Sequence, residues 1–186
     1  PALQLQGAIE GLISLVHETK DNQLTYADWN KFLAFTKHKD FDWAVDQHKA
    51  RGLPETGFVE TYRRHAKSLI GVGAGAGQDM RVGMRLELVA LANPYTDDLT
   101  DGMPVQVWFQ NKPIVDGQVE LYERAPDGTV TVTLHRTDAK GVAALPVKAG
   151  HIYMADHVVM IPLENETLKD PAWHSAWGNL TFKVPE

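Results

Sequence analysis

The sequence predicts a mainly β protein: an antiparallel, two-layer sandwich carrying a small helical lobe toward its N-terminus. Two patterns in the second half carry that prediction. The first is period-two alternation, with Val105, Val107 and Phe109 on one face of a run, Val119 and Leu121 on one face of the next, and Val130, Val132 and Leu134 on a third. The second is the punctuation between runs. Asn111-Lys112-Pro113, Asp116-Gly117, Pro126-Asp127-Gly128, Asp138 to Gly141 and Lys148-Ala149-Gly150 are turn chemistry, supplying the backbone angles that tight reversals need. Short strands at such spacing, with no helical period between them, belong to a sandwich.

The first third reads differently. Gly11 to Thr19 is a strand with apolar residues on both sides, as in a sheet covered on both faces. Thr25 with Asp28 resembles a capping box and opens a helix carrying Trp29, Phe32 and Leu33 on one stripe. Asp40 caps a second helix, with Phe41, Ala44, Val45 and His48 on its apolar face and Gly52 at its end. Pro54 lies near the start of an expected third helix, on which Phe58, Tyr62, Ala66 and Leu69 recur at four- and three-residue steps. The glycine-rich run Gly71 to Gly77 holds only a degenerate dinucleotide fingerprint. No helical stripe follows it, so it reads as a flexible linker. These features divide the chain at residue 83: residues 1–83 form an N-terminal strand and helical lobe, and residues 84–186 form the sandwich.

Composition narrows the function. A 186-residue chain with 44% hydrophobic residues can bury a sizeable core, and a net charge of −6 gives no reason to expect nucleic acid or an anionic membrane surface as a partner. No apolar run approaches the ~18 residues of a membrane-spanning helix, so the chain is not expected to span one. The absence of cysteine removes disulfides, thiolate metal sites and thiol nucleophiles. No Gly-x-Ser-x-Gly elbow is present, Ser14, Ser68 and Ser175 are its serines, and nothing supports an enzyme. Asp97, Asp98 and Asp101 lack the glycine and terminal glutamate of a calcium-binding loop and read as a solvated turn. Trp108, Trp173 and Trp177, with Tyr95, Tyr122 and Tyr153, are of the type that stacks on sugars, but half-buried strands use the same residues for packing. Arg63, Arg64 and Lys67 form a basic cluster that suits either an anion or ion pairs. The eight histidines include no His-x-His, His-x-x-x-His or His-Glu-x-x-His, so any metal site must be assembled from distant segments.

The segments Asn111 to Tyr122, Arg136 to Val147 and Ala149 to Ala155 resemble the prealbumin-like, carboxypeptidase-regulatory-like sandwich, an Ig-like arrangement. More closely, Tyr62 to Ile70, Glu87 to Tyr95, Ala155 to Met160 and Trp173 to Phe182 resemble the DUF4198 family, related to periplasmic components of nickel and cobalt uptake. The resemblance implies a variable helical lobe and a secreted precursor whose leader, and first strands, precede Pro1. It further implies a periplasmic, non-enzymatic binding protein with a transition metal and a membrane transporter as partners. Within the resembling segments His65, His157 and His174 are the candidate metal ligands, with His17 and Met160 added. Imidazole and thioether donors suit nickel, cobalt or copper. Met154 and Met160 stand three residues from His157, which in a strand puts them on the opposite face. A lone histidine on a semi-apolar strand serves equally as a satisfied core residue. The competing reading is an Ig-like structural or interaction module for a protein or glycan.

Overall fold

The computed structural model describes residues 10–167 and 169–186. Two strands, β1 (Gly11–Glu18) and β2 (Asn22–Tyr26), precede two helices, α1 (Trp29–His38) and α2 (Asp42–Ala50). The long strand β3 (Phe58–Val72) follows, then β4 (Leu86–Ala90), β5 (Met103–Phe109), β6 (Lys112–Pro113), β7 (Gln118–Arg124), β8 (Val130–Arg136), β9 (Val142–Leu145), β10 (Ile152–Pro162) and β11 (Pro171–Lys183). The chain is thus mainly β with a helical insert.

A seven-stranded sheet runs β1-β3-β11-β10-β7-β8, with β2 also paired to β3, and a four-stranded sheet is built on β4-β5-β6 with β9 on β5. The two sheets meet face to face. Leu86, Leu88, Val105 and Val107 from the small sheet pack on Val119, Leu121, Tyr153 and Leu180 from the large one. Gly178 of β11 allows the approach, since a Cβ there would stand 2.8 Å from Leu86 Cγ. The opposite face of the large sheet carries the helices, where Phe32 and Ala44 bury against Phe58, Met160 and Trp173. The central strands of the large sheet, β3, β11 and β10, are therefore covered on both faces, whereas β1, whose apolar pattern predicted such cover, is a half-exposed edge strand.

The third expected helix is a strand. Residues 58–72 form β3, which pairs with β1 and β2 on one side and β11 on the other. The four- and three-residue steps of Phe58, Tyr62, Ala66 and Leu69 coincide with a second, true period of two: His65, Lys67 and Leu69 are buried toward the small sheet, Phe58 and Glu60 toward the helices. Charged residues in a central strand disguised it. Burial on both faces, with partners on both edges, outweighs local propensity. His65 accordingly sits on a strand. Its β11 pairing is parallel, the exception to an otherwise antiparallel set among the described residues.

Smaller corrections follow from the same geometry. Thr25 is extended in β2 opposite Val59, and Asp28 caps α1, accepting from Asn30 N at 2.9 Å. Asp40 takes a left-handed turn at φ 62°, leaving Phe41 at the start of α2. Val130, Val132 and Leu134 do not join the core. They lie on the edge strand β8 and are 58%, 45% and 60% exposed. The Gly71–Gly77 run is tied down: Asn93 Nδ2 donates to the Gly75 and Gly77 carbonyls at 2.8 and 3.0 Å, and Leu12 N donates to Ala76 O at 2.8 Å. The expected boundary after residue 83 falls just before β4, but the large sheet takes strands from both sides of it. Residues 1–9 of the expected first unit lie outside the described residues.

A buried ionic cluster joins these parts. Lys67 Nζ stands 2.9 Å from Glu87 Oε1 and 3.2 Å from Asp79 Oδ2, all with side chains 0% exposed. Glu87 also accepts from Val82 N and Gly83 N, and Asp79 from Ala90 N and Ser14 Oγ. Burial pushes the Glu87 carboxyl up, but the bonds from Lys67 and the two amides outweigh it and hold it below the usual range.

Candidate ligand-binding site

Alternation along β3 points Phe58, Glu60, Tyr62 and Arg64 at the helices. β11, alongside in parallel register, contributes Ser175 and Trp177 to the same face. β2 supplies Tyr26 and α1 supplies Lys31 and Phe35. Between them lies a cavity of about 370 Å³, lined by Tyr26, Phe35, Tyr62 and Trp177, with Glu60 in its wall and Lys31 and Arg64 beside it. That volume lies in the range of small-molecule sites, and aromatic walls with a few convergent polar groups are their usual composition.

Glu60 is 2% exposed. Its Oε2 accepts from Tyr26 OH at 2.8 Å, and its Oε1 accepts from Ser175 Oγ, which in turn accepts from Trp177 Nε1 at 2.9 Å. Burial pushes the carboxyl above its ordinary range, and the two hydroxyl donors offset only part of that. Tyr26 is pushed up as well, by burial and then by the neighbouring Glu60. The other buried carboxyls each have a lysine: Lys67 for Glu87, and Lys39 for both Glu120 and Asp156, at 2.8 and 2.9 Å. Glu60 has no cationic partner among the described residues.

Arg64 guanidinium lies over the Trp177 and Tyr62 rings, 5.6 and 5.8 Å from their centroids. The three members of the basic cluster go separate ways. Arg63 pairs with Asp21 at 2.8 Å, Lys67 is locked into the buried cluster, and Arg64 faces the cavity without a carboxylate partner among the described residues. Nearby, Lys39 closes α1 onto the sheet. Burial raises Glu120, but Lys39 and Tyr122 outweigh it and keep the carboxyl low, whereas burial dominates at Asp156 and keeps it high.

The residues chosen as metal ligands lie elsewhere. His157 is opposite Gly178, and Gly178 is opposite His65, so these imidazoles stand two strands apart, roughly 10 Å. His157 Nδ1 donates to Gln118 O at 2.7 Å. His174 accepts from Arg85 at Nε2, leaving Nδ1 to donate to Thr61 Oγ1 at 3.0 Å. His65 Nδ1 donates to Trp177 O at 3.3 Å. Burial lowers the basicity of all three. His17 is exposed on β1, and Met160 packs with Trp173 and Phe32 on the helix side, the face away from His157. Among the described residues no three His, Asp or Glu side chains gather as a metal-holding group.

Nor do the aromatics form one platform. Trp173 and Tyr153 are buried in different clusters, Trp108 lies under Arg81, and Trp177 alone of that set lines the cavity. Tyr26, Lys31 and Phe35 carry no local signal of a site, and the helical steps of Phe58 to Leu69 hide Glu60. A strand reading of Phe58-Val-Glu-Thr-Tyr-Arg-Arg would have placed Glu60 on an apolar face.

A family model for DUF4198, a domain of unknown function, matches residues 5–160. The chain belongs to the DUF4198 family. The match spans β1 to most of β10, and so includes Tyr26, Phe35, Glu60 and Arg64 but ends before Ser175 and Trp177. No curated protein and no solved structure matches the chain. Within this DUF4198 domain, no described helix is long and apolar enough to cross a membrane.

Proposed function

We propose that this chain is a periplasmic, non-enzymatic binding protein that holds a small organic ligand in the aromatic cavity between β2, β3, β11 and α1. The observation that carries the reading is Glu60, a buried carboxyl without a cation, set in the wall of a cavity of about 370 Å³. Such a group costs stability, because two hydroxyl donors offset only part of its desolvation. Perturbed carboxyls in concave sites mark function more often than packing. The test is a small-molecule screen by thermal shift on wild type and on Ala27→Trp, which fills the cavity from its rim. Stabilising compounds that lose their effect in the filled variant support the reading. A screen whose every hit acts equally on both proteins refutes it.

A transition-metal role, with nickel or cobalt and a membrane transporter as partners, is the second reading. It rests on the family resemblance and on one observation: His65 Nε2 is buried without a hydrogen bond, 3.4 Å from Glu18 Oε1. Calorimetric titration showing no saturable binding tighter than ~10 μM would set it aside. The prealbumin-like, Ig-like class of the two packed sheets is likewise our reading from the resemblance. An experimental structure with a different strand order would overturn it.

A further inference from the structure

We propose that the cavity selects a zwitterion: a molecule carrying an amine at one end, an anionic group at the other and an apolar body between. This rests on the binding reading above and names the class of ligand. Glu60 forms one pole. Both its oxygens are engaged by neutral hydroxyls, Tyr26 and Ser175, so each retains acceptor capacity while no cation in the described chain balances the charge. An ammonium group supplies both the missing charge and further donors, and the faces of Tyr26 and Tyr62 suit it. Arg64 forms the other pole. Arg64 lies against Trp177 and Tyr62, so its planar fork is held in place with no carboxylate from the described chain to bind. The middle is apolar, walled by Leu24, Phe35 and Trp177.

The spacing fixes the length. Glu60 and Arg64 lie four residues apart on one face of β3, so their Cα atoms are roughly 13 Å apart. Subtracting the reach of the two side chains leaves room for a short aliphatic or aromatic spacer. A lone cation would leave Arg64 unpaired. A lone anion would meet Glu60. A molecule with both charges satisfies both poles, which is discrimination by unpaired charge as much as by attraction.

The experiment is a calorimetric comparison of four probes on the full chain: ε-aminocaproate, hexylamine, caproate and hexanol. The expected result is that ε-aminocaproate binds at least about tenfold tighter than the better singly charged probe. Glu60→Gln should weaken ε-aminocaproate and hexylamine by about tenfold while caproate stays within about twofold. Arg64→Met should do the reverse. A second readout needs no variant. Tyr26 from β2 and Ser175 from β11 bond Glu60, and Lys31 from α1 with Tyr62 and Arg64 from β3 line the same cavity, so Glu60 is its carboxyl among the described residues. Wild-type affinity for ε-aminocaproate should therefore fall as mild acidification protonates Glu60, while affinity for caproate holds so long as the pH stays above the range in which the probes' own carboxyls titrate. Hexanol binding as tightly as ε-aminocaproate, or affinities untouched by Glu60→Gln and by pH, overturns the zwitterion and leaves the cavity reading standing. Failure of all four probes to bind also overturns it, and the cavity is then judged by the filled variant in the screen.

Discussion

Replacing Lys67 by Met should be among the most damaging single changes in the chain. The ammonium is fully buried between Glu87 and Asp79, and it also donates to Met80 O at 3.0 Å. Methionine fills much of the same volume, so little cavity results. What remains is two buried carboxylates without a counter-charge, held by amides and one hydroxyl. Removing one partner of such a buried cluster costs about 3–5 kcal/mol. With a urea m-value of about 2 kcal/mol/M for a domain of this size, the unfolding midpoint should drop by about 2 M. Tryptophan fluorescence in urea measures it. The pH dependence gives a second handle. The Glu87 carboxyl is depressed below its ordinary value of about 4.5, so its contribution exists above that pH and is lost as pH falls through the folded value. The deficit of Lys67→Met should therefore shrink in acid. The triple variant Lys67→Met, Asp79→Asn, Glu87→Gln should recover part of the loss at neutral pH. A midpoint shift under about 0.5 M, or a deficit that does not depend on pH, would refute the view that this cluster binds the glycine-rich segment and β4 to β3.

Glu60→Gln should stabilise the protein at neutral pH. Its carboxyl is raised by burial, so the wild type loses stability as pH rises from the unfolded value of about 4.5 through the folded one, and the variant does not. Thermal melts of both across pH 4 to 8 check this, and identical curves would contradict it. Gly178→Ala puts a Cβ 2.8 Å from Leu86 Cγ and 3.0 Å from Leu88 Cδ1, which should cost about 1–3 kcal/mol by urea titration. His157 donates to Gln118 O, and its burial holds it below the ordinary value of about 6.5, so the folded state resists its protonation. Stability should fall as pH drops below that value, and His157→Asn should flatten the slope in the same melts.

The strands of the second half were legible because one side of each faces a core and the other does not. Val105, Val107, Val119 and Leu121 fall where alternation puts them. β8 was misjudged because alternation records amphipathicity and not what the apolar side meets, and Val130, Val132 and Leu134 meet solvent. The larger miss was β3. Its partners, β1, β2 and β11, lie as far away as residue 181, and no local pattern reports a partner that distant. The candidate site depends on that strand: the sequence shows Arg64 only as one of a basic cluster and gives Glu60 no signal of its own. In the sequence Trp177 is one aromatic among several, and packing and ligand stacking look alike until the neighbours are known.

The most direct test is where a bound ligand perturbs the protein. With isotopically labelled full chain titrated to saturation with ε-aminocaproate, the largest chemical-shift changes should fall on the Trp177 indole N–H and on the backbone amides of Tyr26, Phe35 and Tyr62. Changes centred on His65 and His174, across the sheet from the cavity, or a Trp177 indole that does not move at saturation, would contradict the account.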